Sequence, residues 1–236
     1  MAEPVETPRR NLTGAIVPAL AAAGLAALAA LVLAGRNSEE KTAQAGNLGP
    51  CIIEHADAVG GPIELLDSNG ARVTQADFAG QPAVIYFGFT HCPDVCPTTM
   101  YAVGEALARD DSYDVQPILI TVDPERDTPA VMGAYVRTGG FPAGLVGLSG
   151  SPAQIDAAVR AFRVYASRAD IPGAPEGTYN VDHSSFLYVM DAQWNTVAIM
   201  PTMSRADPND PRSPMVAAPV EQISACIAAG LERAAS

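Results

Sequence analysis

Seven residues, Ala83 to Phe89 (AVIYFGF), constrain the fold of this chain more than any other stretch. They are mostly β-branched or aromatic, carry no charge, and lead past Thr90 into His91-Cys92-Pro93-Asp94-Val95-Cys96-Pro97. A short apolar run bounded by turn residues reads as a strand buried on both faces, and such a strand needs a covering layer on each side. Beyond the cysteines, Met100, Val103 and Leu107 recur at helical spacing. The cysteine motif is therefore expected in a strand-to-helix turn and the first turn of that helix.

The remaining pattern alternates in the same way. Gly61 to Val73 holds two short apolar runs around Asp67-Ser68-Asn69-Gly70 and reads as an opening β-hairpin turned by Asn-Gly. Val115 to Val122, Leu145 to Leu148, Ser185 to Met190 and Thr196 to Met200 read as strands. Pro129 to Arg137 is expected to be a short helix; Ile155, Val159 and Phe162 mark another, and Val220, Ile223, Ile227 and Leu231 a last one. Alternating strands and helices that end in a hairpin plus helix predict an α/β sandwich of thioredoxin type over residues 61–236. The segment from Pro201 to Pro219, with five prolines, is expected to be a surface loop.

In front of this domain, Gly14 to Gly35 is a run of 22 uncharged residues, long enough to cross a bilayer as one helix. Arg9 and Arg10 precede it, which favours a cytoplasmic N-terminus at 1–13, a transmembrane anchor at 14–35 and a polar tether at 36–60. A cleaved signal peptide competes, because Ala43-Gln44-Ala45 has the small-residue pattern of a cleavage site. That site lies well beyond an apolar stretch already longer than a signal core. Residues 1–45 carry four basic and four acidic side chains, so the remainder holds the whole net charge of -12. With ten Arg, no Lys and this acidic balance, the domain lacks the basic stripe that nucleic-acid binding requires.

Cys92 and Cys96, four apart, share one face if both lie in a helical turn, and both sulfurs can then reach one metal ion. A helix N-terminus favours thiolate, and thiolates are soft donors suited to Cu(I). Two cysteines complete no coordination shell, so a third ligand is needed. The chain has three histidines: His55 in the tether, His91 beside the motif, and His183 just ahead of the strand at Ser185. The fold makes His183 the leading candidate without excluding the others. Two thiolates and a neutral imidazole leave a Cu(I) site at -1 and a Cu(II) site neutral; structural zinc normally takes four protein ligands.

Three runs together, YFGFTHCPDVCP (Tyr86 to Pro97), VDPERDTP (Val122 to Pro129) and VDHSSFLYV (Val181 to Val189), resemble the signatures of the Sco/SenC family in content, order and spacing. The resemblance extends from about Gly61 to Met200. It implies a membrane-anchored, thioredoxin-like copper protein, a carrier rather than a catalyst, that serves the binuclear copper centre of cytochrome c oxidase subunit II. It also implies copper ligation by Cys92, Cys96 and His183. The domain would then face the periplasm or an equivalent space. Asp94 and Asp182 are candidates for tuning the site, with turn capping as the alternative for Asp182, and Asp123-Pro124 is read as a turn at a strand end. Met203 and Met215, in the segment that does not map onto the family, are possible thioether donors.

An extracytoplasmic location permits Cys51 and Cys226 to form a disulfide between the tether and the last helix; a buried free thiol at Cys226 is the alternative. Other functional readings compete with copper delivery. A thiol-disulfide reductase would cycle Cys92 and Cys96, although CxxxC is one residue longer than the usual redox motif. A copper or redox sensor would use the same ligands. A thiol peroxidase fits poorly, because the positions three before the cysteines are Phe89 and Pro93 rather than Thr.

Overall fold

The computed structural model describes residues 51–109, 114–207 and 209–235. The expected N-terminus at 1–13, the span at 14–35 and the tether up to residue 50 lie outside the described residues. Among the described residues no helix is long and apolar enough to cross a membrane.

In chain order the elements are β1 (Glu64–Leu66), β2 (Arg72–Thr74), β3 (Ala83–Gly88), α1 (Val95–Arg109), β4 (Gln116–Thr121), α2 (Pro129–Tyr135), β5 (Val146–Leu148) and α3 (Pro152–Ala161). These are followed by β6 (Ala166–Asp170), β7 (Tyr179–His183), β8 (Phe186–Met190), β9 (Thr196–Pro201), β10 (Met203–Arg205), β11 (Met215–Ala217) and α4 (Val220–Ala235). The central sheet runs β5-β4-β3-β8-β9. Its β3, β4 and β5 are parallel, whereas β8 and β9 are antiparallel to their neighbours. This is a thioredoxin-like α/β fold.

As the run of apolar residues requires, every residue of β3 is buried. One face of the sheet meets α3: Phe162, just past that helix, packs its ring 5.3 Å from both Phe87 and Tyr188. The opposite face meets α1 and α4, where Gly230 of α4 lies so close to Ala198 of β9 that an added Cβ would sit 2.9 Å from the alanine methyl. Burying rings such as Phe87 and Phe162 contributes about 2 to 3 kcal/mol each. Arg109 ties α1 to α4 through Glu221 at 2.5 Å. The N-termini of α2 and α3 are closed by Thr128 and Ser151, each followed by a proline at the first helical position.

The opening hairpin forms, but its loop spans five residues, since Leu66 pairs with Arg72. Of the Asn69-Gly70 pair only Gly70 takes a positive φ, 78°. Asp67 fastens the loop instead, its Oδ1 accepting the amides of Asn69 and Ala71 at 2.8 Å each.

The sequence pattern misplaces three features. The end of the expected tether, residues 51–60, lies on the domain: Ile52 exchanges two 2.8 Å backbone hydrogen bonds with Ile199, and Gly60 donates to Ala161. Ile53 and Val59 pack against the core, and Ala56 is buried. Cys51 and Cys226 form a disulfide with their Cα atoms 5.7 Å apart, so the last helix secures this segment covalently. The expected loop at 201–219 contains the hairpin β10–β11, anchored by Ala218 donating to the Thr202 carbonyl. A second hairpin, β6–β7, lies between α3 and β8.

Candidate metal centre

Cys92, Cys96 and His183 come together, with their ligand atoms all within 4.8 Å of one another. The route differs from a shared helical face. Helix α1 begins at Val95, so only Cys96 is helical and Cys92 lies in the turn before it, its amide donating to the Phe89 carbonyl at 3.3 Å. The turn folds the Cys92 sulfur back over the helix start, where it accepts the Cys96 amide at 3.3 Å. His183 ends β7, and the chain then enters β8 beside β3, which carries the imidazole across to the end of the cysteine-bearing strand. Its Nε2 is 3.6 Å from Cys96 Sγ.

Three features prepare the imidazole and the sulfurs for a soft cation. The Ser184 carbonyl lies 2.9 Å from His183 Nδ1. A carbonyl only accepts, so Nδ1 donates to it, and Nε2 is the ring nitrogen that faces the sulfurs. The ring is held edge-on by Phe89 and Tyr86, with centroids 5.6 and 6.2 Å away. The Cys92 thiol pKa is brought down to about 4, chiefly by a hydrogen bond from the Cys96 thiol, with help from the His183 ring and then from the Asp94 and Cys96 amides, against the opposing effect of burial. The same hydrogen bond pushes the Cys96 pKa up, and burial adds to the rise. In the metal-free pair one proton is shared, Cys92 is the half-exposed thiolate and Cys96 the buried thiol. Two sulfurs and one imidazole nitrogen form a donor set fit for copper.

Gly88, the last residue of β3, makes room for this arrangement. A Cβ there would lie 3.0 Å from Cys96 Sγ and 2.9 Å from Cε1 of Tyr86. Tyr86, fully buried, points its hydroxyl to Cys96 Sγ at 4.0 Å and keeps its proton, because burial pushes its pKa well up.

The run from Val122 to Pro129 supports the loop that carries the cysteines. Asp127 is fully buried and accepts the Thr90 amide at 3.0 Å, the Thr90 hydroxyl at 2.5 Å and the Thr121 hydroxyl at 2.7 Å. Asp123 is also buried, accepting from Arg126 at 2.5 Å and from the Tyr179 hydroxyl at 2.8 Å. Its backbone carbonyl takes the Asp127 amide, which forms the expected turn. His91, Asp123 and Asp127 also have side-chain atoms close together, but these hydrogen bonds already occupy the carboxylates.

Asp182 is exposed and lies on the other side of β7 from His183, so it neither orients the imidazole nor caps a turn. Ser184 has the orienting role through its carbonyl. Asp94 is exposed, and its carbonyl accepts the Thr98 amide in the first turn of α1. His55 is exposed within the segment lying on the domain, and Met203 and Met215 sit on β10 and β11. The supporting roles of Gly88, Ser184 and Asp127 were missed. Only Asp127 left a trace in the sequence, as a charged residue inside a compact run between two predicted elements.

Fold and site together define a thioredoxin-like protein with a dithiol-imidazole centre at the junction of β3 and α1. The sequence model of the SCO1/SenC family matches residues 53–210, and the chain belongs to that family. It is 39% identical over 143 residues to the mitochondrial protein SCO1 homolog 1 of Arabidopsis thaliana, covering 59% of this chain and 41% of the relative. Arabidopsis thaliana ScoI, solved with copper bound, superposes with a TM-score of 0.61 at 32% identity, covering 74% of this chain and 99% of that one. Bradyrhizobium japonicum ScoI, also solved with copper bound, gives 0.56 at 37% identity, covering 73% and 99%. The chain spans about half the length of the first curated relatives it matches.

Proposed function

We propose that this chain is a copper carrier that binds one copper ion through Cys92, Cys96 and His183 and passes it to the binuclear copper centre of cytochrome c oxidase subunit II. The observation that carries the reading is the convergence of the two sulfurs and Nε2 within 4.8 Å, with the ring tautomer set by Ser184. The copper-bound relatives support the choice of metal. Transfer would proceed by ligand exchange. Cys92 is half-exposed and can be approached by an acceptor's ligand, while the buried Cys96 retains its hold until last.

In this reading residues 14–35 anchor the protein in the inner membrane and the domain lies in the periplasm or an equivalent space. The disulfide supports that placement, since such bonds persist in oxidising compartments. To test the carrier reading, the full chain is loaded with Cu(I) and Cu(II) and its stoichiometry compared with His183→Ala and with Cys92→Ser/Cys96→Ser. One copper per chain in the parent and none in the double variant is expected. Binding indifferent to His183→Ala would refute the three-ligand site.

The asymmetric thiol pair favours a second reading, in which the chain reduces the acceptor's copper-site cysteines. The Cys92 thiolate would attack the acceptor disulfide, and Cys96 would then resolve the mixed disulfide. Two electrons and the one proton held by the pair pass to the acceptor as Cys92–Cys96 becomes a disulfide, and the acceptor's second thiolate takes its proton from solvent. Full oxidase assembly in cells carrying His183→Ala would favour this reading over delivery.

A further inference from the structure

Behind Cys96 runs a chain of hydroxyl groups outside the ligand set. Tyr86 Oη lies 4.0 Å from Cys96 Sγ and 2.9 Å from Ser185 Oγ. Ser185 Oγ is 2.6 Å from Thr202 Oγ1, to which Thr99 Oγ1 donates at 3.3 Å. Thr99 and Thr202 are only 1% and 2% exposed, so the protein itself must satisfy these groups. Backbone bonds hold the far end, with Thr202 donating its amide to Ser185 and accepting from Ala218.

The metal-bound sulfur fixes the direction of the chain. Besides Ser185 Oγ, Thr202 Oγ1 has the Ser185 carbonyl as an acceptor at 3.3 Å; the order in which every link between hydroxyls carries a proton has Thr99, Thr202, Ser185 and Tyr86 each donate toward Cys96. A metal-bound thiolate only accepts, so binding selects this order, and hydrogen bonds aligned head to tail polarise one another.

We propose that Tyr86 is a positioning residue for the copper site: its hydroxyl, held in orientation by Ser185, Thr202 and Thr99, donates to the Cys96 sulfur and thereby favours Cu(I) over Cu(II). A hydrogen bond to a thiolate draws electron density from the sulfur. The loss weakens donation to Cu(II), which depends on it more than Cu(I) does. This inference rests on the copper reading above.

The test uses the full chain loaded with Cu(II), reading the sulfur-to-copper charge-transfer absorption and the Cu(II) and Cu(I) affinities by chelator competition. Tyr86→Phe keeps the ring and removes only the hydroxyl. The absorption should move to longer wavelength, and the ratio of Cu(II) to Cu(I) affinity should rise about three- to tenfold, the scale of one long hydrogen bond to a charged sulfur. Ser185→Ala leaves Tyr86 intact but removes its donor partner, and should shift both quantities less in the same direction; it carries the test if Tyr86→Phe does not fold. A variant that binds one copper with unchanged absorption and ratio, even if it melts lower, overturns the proposal and leaves a structural role only. A parent chain that takes up no copper overturns the copper reading itself, and this inference falls with it.

Discussion

Placing alanine at Gly88 should damage the site without replacing a ligand. Gly88 occupies an ordinary strand conformation, so on backbone grounds alone alanine would stabilise the chain by about 0.5 to 1 kcal/mol. Crowding opposes this. The new Cβ would stand 3.0 Å from Cys96 Sγ and 2.9 Å from Tyr86 Cε1, where ordinary contact begins at 3.4 Å. Tyr86 and Cys96 are both fully buried, so neither yields freely, and a sulfur pushed back by roughly 0.4 Å would exceed the about 0.2 Å that metal-ligand distances tolerate. If the sulfur rotates instead, it leaves His183. The expected net loss is about 1 to 3 kcal/mol of stability in the metal-free chain, together with copper binding weakened about ten- to hundredfold. Urea unfolding with chelator present measures the first, and competition with a copper chelator the second. Combining Gly88→Ala with Cys96→Ala removes the colliding sulfur, so the stability cost of the glycine change should shrink in the pair. A Gly88→Ala chain as stable as the parent and binding copper equally well would refute the close-approach argument.

Three further outcomes follow from the same geometry. Asp127→Ala strands the Thr90 amide and two hydroxyls in a buried site, and should cost about 3 kcal/mol in urea unfolding while loosening the loop before Cys92; a loss within about 0.5 kcal/mol, the level of an ordinary surface change, would contradict that role. Reducing the Cys51–Cys226 disulfide, which spans a sequence separation of 175, releases a long loop worth up to about 5 kcal/mol by chain entropy; an unchanged urea midpoint with reductant present would contradict a constraint of that size. With the Cys92 pKa brought down to about 4, its alkylation in the metal-free chain should rise as pH climbs through that value and be nearly flat from pH 6 to 8; a rate still climbing about tenfold per pH unit there, as for an ordinary thiol, would show that the thiolate is not stabilised.

How much of this centre could be read from the sequence depends on how local each interaction is. The strand Ala83–Gly88 and the helix behind it were legible, because burial on both faces in one case and a helical apolar stripe in the other leave marks within a few residues. The pairing of thiols was legible for the same reason, although the geometry comes from a turn preceding the helix. His183 is the leading third ligand only through the expected fold and the family resemblance: it ends a strand whose partner, Ala166–Asp170, is mostly exposed and polar and has no apolar alternation to betray it. The hairpin Met203–Ala217 was hidden by prolines that read as loop, and only backbone pairing to Ser185 and Ala218 reveals why it is ordered. Least legible were the groups that act on Cys96 from a distance. Tyr86, Ser185 and Thr202 lie 10, 89 and 106 residues from it in the chain, and each looks like an ordinary strand or loop residue until the sheet aligns their hydroxyls. A metal-binding thiol pair can thus be found by motif, but the groups that would set its preference among oxidation states are products of tertiary packing. Substitutions at Gly88, the last residue of β3, or at Ser185, between β7 and β8, should therefore alter the site's copper chemistry while leaving all three proposed ligands in place.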